Sequence, residues 1–151
     1  MSPKAMELDI NSLMRLATAV IFGGLIGFNR DIYGKPTGIR AHALVSLGAA
    51  VLVMAVRDTP DATSRVIQGV IAGIGFLGGG VILRGTQNMH VYHLVTAATL
   101  WVTTGIGILC GLGAWKLALA ATGVVLIVLT GGVYLDKWLY GKAGVKEDDR
   151  E

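Results

Sequence analysis

Charged side chains make up only 15% of the 151 residues, against roughly 25% in soluble domains. From Ile39 to Asp136 they are Arg40, Arg57, Asp58, Asp61, Arg65, Arg84, Lys116 and Asp136 itself, set between long apolar blocks. That excludes a soluble enzyme with a solvated surface, and it excludes a disordered chain. Cys110 is the sole cysteine, so an intrachain disulfide and a cysteine-based metal site are both impossible, and it reads as a small buried hydrophobe. There are only three prolines and no Gly-X-Y period, which excludes a collagen-like chain despite 22 glycines. No Walker loop, nucleophile–base arrangement, flavin motif or haem motif is present, and the glycine-rich stretches lie inside apolar segments where a nucleotide loop has no context. Neither enzymatic activity nor a cofactor is expected.

Acids are also missing where they would matter most. The ten acidic residues are Glu7, Asp9, Asp31, Asp58, Asp61, Asp136, Glu147, Asp148, Asp149 and Glu151, and none lies inside an apolar run. Cation pathways across membranes usually carry carboxylates. A divalent-cation path built from this chain would have to use backbone carbonyls, Gln68, or threonines such as Thr96, Thr99, Thr103 and Thr104, which counts against direct magnesium transport.

What is present is apolar: 53% hydrophobic residues and a mean hydropathy of +0.63. Five runs stand out, Leu13–Phe28, Ala41–Val56, Val66–Leu83, Leu94–Leu112 and Leu117–Leu135. Each approaches the ~20 residues of a membrane-spanning helix. The expected fold is an all-α polytopic bundle of about five spans, with residues 1–12 as an N-terminal extension, 13–135 as the transmembrane domain and 136–151 as a charged tail. Asp9, Asn11 or Ser12 can cap the first helix. Thr59-Pro60-Asp61 predicts the start of the third, with Asp61 and Arg65 paired one turn apart. The net charge of +3 suits anionic headgroups and topology determination rather than nucleic acid.

The third run is the most unusual. Gly69 and Gly73 are four apart, as are Gly75 and Gly79, and Gly78-Gly79-Gly80 follows. Small residues at that spacing let helix backbones approach closely, which places this helix at the bundle centre with Gly73 and Gly75 in packed interfaces. The triple glycine could instead unwind and expose backbone to an ion. Its strongly polar side chain is Gln68.

Cations converge at one membrane face: Arg30, Lys35 and Arg40 around the first connection, with Asp31 among them, and Arg84 at the end of the glycine-rich run. One reading is a site for an anion, an acidic lipid or an acidic protein, since guanidinium groups bind phosphate and carboxylate bidentately. The other is ordinary positive-inside charge snorkelling to headgroups. His90 and His93 are three apart and read as a surface pair or, with a third ligand, a metal site. Trp115 and Trp138 read as interface anchors, and Trp101 as a packing residue.

Three blocks carry a family resemblance. Gly27-Phe28-Asn29-Arg30-Asp31 with Gly34-Lys35-Pro36-Thr37-Gly38-Ile39-Arg40-Ala41-His42 is the first. Arg65 with Gly73-Ile74-Gly75-Phe76-Leu77-Gly78-Gly79-Gly80 is the second, and Thr96-Ala97-Ala98-Thr99-Leu100-Trp101 the third. Together they resemble the signature of the MgtC/SapB membrane proteins, over about Leu13 to Leu135. The resemblance implies a bacterial inner-membrane protein of about five spans, tied to growth in low magnesium, to virulence and survival inside macrophages, and in some members to restraint of the F-type ATP synthase. Two departures matter. Longer members carry a carboxy-terminal cytoplasmic domain, whereas this sequence ends about sixteen residues after its fifth run. The family's glycine before the Leu-Thr-Thr-Ala-Ala stretch is His93 here.

Two function classes follow. The first is a regulator that binds another membrane protein through its glycine faces and basic rim. The second is a small oligomeric transporter or channel for magnesium or another ion. The expected partners are the lipid bilayer, another membrane protein and further copies of the chain. Lysines and arginines divide eight to five between alternate sides of a five-span chain, the larger share including Lys137, Lys142, Lys146 and Arg150. That places the tail in the cytoplasm and the N-terminus outside. Reporter fusions after Gly34 and Lys142 should therefore read as cytoplasmic and a fusion after Thr59 as external. A four- or six-span pattern would overturn this topology.

Overall fold

A computed structural model of the chain describes residues 9–84 and 93–141, with the backbone alone given for residues 84, 136, 137 and 139–141. Five helices follow in order: α1 (Ile10–Ile32), α2 (Ile39–Met54), α3 (Pro60–Arg84), α4 (Leu94–Leu112) and α5 (Trp115–Gly141). No strand occurs among the described residues. All but α2 are long and apolar enough to cross a membrane; α2 has 16 residues.

The ends obey local chemistry. Asp9 caps α1, accepting from the Ser12 amide at 2.7 Å, and Ser12's hydrogen bonds hold its carboxyl below the usual aspartate range. Pro60 opens α3, where its missing N–H costs nothing. Arg65 and Asp61 stand 4.0 Å apart on its exposed first turns. Gly113 ends α4 in the left-handed region at φ 78°, and its amide and that of Ala114 return to Cys110 and Leu109 at 2.9 Å.

Contacts between helices fix their directions. A Cβ on Gly23 would stand 2.6 Å from the His42 carbonyl oxygen, and one on Gly27 would stand 2.6 Å from Ile39 Cα. Advancing along α1 therefore means retreating along α2. Gly107 lies against the Ser46 carbonyl, and a Cβ on Gly111 would be 2.8 Å from that of Ala50. Both steps are four residues in the same sense, so α2 and α4 run parallel. Arg15 reaches the Gly111 carbonyl at 2.6 Å and Arg30 reaches Thr96 at 2.7 Å, making α1 antiparallel to α4. Asn29 donates to Thr130 at 3.1 Å, bringing the later part of α5 beside the end of α1.

The core has two parts. Ala19 and Ile26 of α1, Ala50 of α2, Ile106 and Cys110 of α4 and Ala118 of α5 form the larger. Ala49, Val53 and Ile108 form the smaller, covered by Val66, Ile67, Val70 and Ile71 of α3. Phe76, Leu83 and Ile127 are 86%, 75% and 71% exposed. Outward apolar side chains on this scale suit lipid rather than water.

Two expectations fail here. The central helix is α4, with 56% of its apolar window buried, against 11% for α3. On α3 a Cβ at Gly69, Gly73, Gly75, Gly79 or Gly80 would meet nothing within 4 Å, and one at Gly78 would touch Ala97 at an ordinary 3.6 Å. The glycines that admit neighbouring backbones are instead Gly23 and Gly27 on α1 and Gly107 and Gly111 on α4. The triple glycine stays helical. Trp101 is 51% exposed and faces outward, so it is no packing residue. The physical reason is that a small-residue spacing marks a face able to pack closely without naming its neighbour.

Gly107→Ala and Gly23→Ala should each lower stability by ~1–3 kcal/mol through overpacking, whereas Gly73→Ala should change it by less than about 0.5 kcal/mol. Thermal unfolding of detergent-purified protein followed by tryptophan fluorescence measures the contrast.

Candidate functional site

The polar side chains of the bundle collect where α1, α2 and α4 meet. The sequence places Asn29, Arg30 and Asp31 in a connection, but α1 continues to Ile32. It can do so because these residues face partners: Asn29 bonds Thr130, Arg30 bonds Thr96, and Asp31 accepts from the Ile39 amide at 2.9 Å. Asp31 thus anchors the start of α2, its carboxylate lying against Gly38.

The four cations proposed as one rim are therefore unlike one another. Arg30 is only 6% exposed. Its Nη2 donates to Thr96 Oγ1, and its Nε is buried without a hydrogen-bond partner. Lys35 is half-buried in the turn after α1, where burial and, second, the positive charge of Arg30 hold its ammonium below the usual lysine range. Arg40 is exposed, beside a cavity of about 420 Å³ that Asp31, Gly38 and Ile39 also line. Arg84 closes α3, and its side chain lies outside the described residues.

Above this corner the turn folds back on α1. The amides of Tyr33, Gly34 and Lys35 bond the carbonyls of Asn29, Asp31 and Arg30 at 3.3, 3.0 and 3.0 Å. Thr37 completes the turn at φ 60°, a left-handed conformation unusual for a β-branched residue, and its Oγ1 is buried without a partner. Below it, fully buried His42 places Nδ1 3.2 Å from the Gly38 carbonyl. That contact requires the proton on Nδ1 and leaves Nε2 as an acceptor, and Nε2 has no partner. Ser46 Oγ and Thr103 Oγ1 are likewise buried and unpartnered. The parallel register of α2 and α4 sets His42 opposite Thr103, one turn before Ser46 meets Gly107.

The sequence brought Arg30 and Thr96 to notice separately and gave no sign that they touch. His42 and Ser46 could have been found from their four-residue spacing, which continues into Ala49, Ala50 and Val53 as one buried stripe of α2. Gln68 is exposed and donates to Ser64 at 3.3 Å. His90 lies outside the described residues, so its pairing with His93 does too. His93 precedes α4 at φ 68°, a backbone shape that suits glycine better than histidine. Among the described residues no three of histidine, cysteine, aspartate and glutamate gather as a metal site.

A second feature lies on the opposite side of α2. An apolar groove of about 630 Å³ runs between α2 and α3, lined by Leu44, Gly48 and Leu52 on one wall and Gly69, Gly73 and Leu77 on the other, with Thr104 at its floor. Of the five α3 glycines that no neighbour fills, it holds Gly69 and Gly73.

Apolar helices directed alternately, outward hydrophobic side chains and a buried polar seam define a multi-pass helical membrane protein. The sequence model of the MgtC family matches residues 16–138, and the chain belongs to that family. It is 47% identical to Protein MgtC of Salmonella typhimurium over 115 residues, which cover 76% of this chain and 49% of that protein. It is 40% identical to Protein SrpB of Synechococcus elongatus over 141 residues, 83% of this chain and 78% of that one. With Protein MgtC of Brucella abortus it shares 39% identity over 115 residues, covering 75% and 48%. The chain spans about half the length of the MgtC proteins it matches. No solved structure matches it.

Thr96→Val should lower stability by ~1–3 kcal/mol, because it leaves a second nitrogen of buried Arg30 without an acceptor. Arg40→Ala should stay within about 0.5 kcal/mol. Chemical or thermal unfolding in one detergent compares the two.

Proposed function

We propose that this protein is an inner-membrane regulator that acts by binding another membrane protein, in the low-magnesium setting its family resemblance implies. The observation that supports this reading is the open groove between α2 and α3. Glycine inside a helix costs roughly 0.5–1 kcal/mol relative to alanine. Gly69 and Gly73, which line the groove, carry that cost without gaining a close contact among the described residues of their own chain. Lipid tails need no such smooth face, whereas a partner helix does, because its backbone must come near for dispersion contacts to accumulate. The groove is apolar on both walls and has glycine on both, which suits a transmembrane helix.

The absence of acids from the apolar runs favours this class over a magnesium transporter. A subunit of the F-type ATP synthase is one partner the resemblance suggests, and a second copy of this chain is another occupant of the groove.

Gly69→Leu and Gly73→Leu should leave expression and thermal stability unchanged yet abolish complementation of growth in low magnesium. Cysteine cross-linking from position 73, followed by mass spectrometry, identifies the occupant, with self-cross-links indicating an oligomer. Full complementation by both variants would sink the groove reading. Magnesium flux through the purified protein in liposomes would support the transporter class instead.

A further inference from the structure

We propose that the corner formed by the end of α1, the 33–38 turn and the start of α4 binds a phosphate group, held by Arg30, Thr37 and Thr96 with Lys35 at its edge. This is independent of the groove, which lies on the other side of α2.

The first support is charge. A guanidinium stays protonated, and a charge removed from water is costly unless an opposite charge meets it. Arg30 is 94% buried, taking its 6% exposure from the whole, yet no carboxylate stands within ion-pair distance of it among the described residues. Adjacent Asp31 is committed to the Ile39 amide. The one side-chain hydrogen bond Arg30 makes among these residues goes to a neutral hydroxyl. Lys35 adds a second cation, its amide bonded to the Arg30 carbonyl, and burial and, second, the charge of Arg30 hold its ammonium below the usual lysine range.

The second support is the helix. Thr96 sits in the first turn of α4, whose initial amides have no intrahelical acceptor, and His93 makes no side-chain cap hydrogen bond there. The positive end of a helix dipole repels a cation and attracts an anion. Arg15 shows the favourable arrangement at the far end of the same helix, on the Gly111 carbonyl. Arg30 lies in the last turn of α1, where that helix's dipole favours it, but it also faces the positive end of α4, and an anion beside the guanidinium and the α4 amides would reverse the sign of that second interaction.

The third support is the donor set. Arg30 Nε and Thr37 Oγ1 are both buried and unpartnered. They come from α1 and from the turn, while Thr96 comes from α4. Donors from three separate segments suit an oxyanion with several acceptor oxygens, such as phosphate. The corner lies at one end of the bundle, where helices give way to a connection, so a lipid phosphodiester and free inorganic phosphate offer the same chemistry.

The test uses the intact chain purified in detergent. Inorganic phosphate is titrated against delipidated protein, with chloride and sulfate at equal ionic strength as controls. In parallel, native mass spectrometry follows retention of phosphatidylglycerol against a glycolipid without phosphate. Selective binding in either arm is expected, and the arm that responds names the source. Arg30→Lys keeps the charge but loses the fork, and should weaken binding about tenfold or more. Thr37→Gly removes the hydroxyl and suits the left-handed backbone, so it should fold at least as well and bind about fivefold more weakly. If Arg30→Lys does not fold, Thr37→Gly decides. The proposal is overturned if the wild-type chain prefers phosphate in neither arm, or if the variants that fold bind as tightly as wild type.

Discussion

Close backbone approach between α2 and its two neighbours governs this bundle. Gly23 and Gly27 of α1 lie on one side of α2 and Gly107 and Gly111 of α4 on the other, each pressed against α2 main chain. Water-driven burial gives helices no reason to associate inside a bilayer, so dispersion contact and hydrogen bonds must do it. Removing a side chain at four points lets α1, α2 and α4 approach closely enough for Arg15 and Arg30 to reach both ends of α4. The same tightness leaves His42, Ser46 and Thr103 enclosed.

From that triplet the two proposals diverge in space. On one side, α1, the turn and α4 form a polar corner around Arg30, which pairs with no carboxylate among the described residues. On the other, α2 and α3 leave an apolar groove with glycine on both walls. One offers charge and donors to something small and anionic, the other a smooth apolar surface to something helical. The chain can present both together, because the groove lining includes none of Arg30, Lys35, Thr37 and Thr96.

Much of the scaffold was legible in the sequence, and the reasons are local. Asp9 as a cap, Pro60 as a first helical residue and the Asp61–Arg65 pair depend only on neighbours within a turn. The five apolar runs depend on composition alone. What could not be read required knowing which helix meets which. Glycine spacing made α3 conspicuous, yet the functional packing glycines are spread over α1 and α4, two to a helix and less crowded. Arg30 looked like a rim charge because hydropathy ends at Phe28; its burial depends on Thr96, 66 residues away. Lysine and arginine at a helix boundary have the same sequence signature whether they snorkel or turn inward, and only a partner on another helix separates the two.

The shortness of α2 has a consequence for the surrounding membrane. Sixteen residues at ~1.5 Å each span about 24 Å, some 6 Å less than a typical hydrocarbon core of ~30 Å. Its neighbours are full length and cannot tilt away from it without breaking the glycine contacts. Lipid beside exposed Val51 of α2 would meet that shortfall by thinning, or by letting headgroups and water dip toward the helix ends, at a cost of fractions of a kcal/mol per Å. By that mismatch, membranes with shorter or more disordered acyl chains would suit the bundle better than thick, ordered ones.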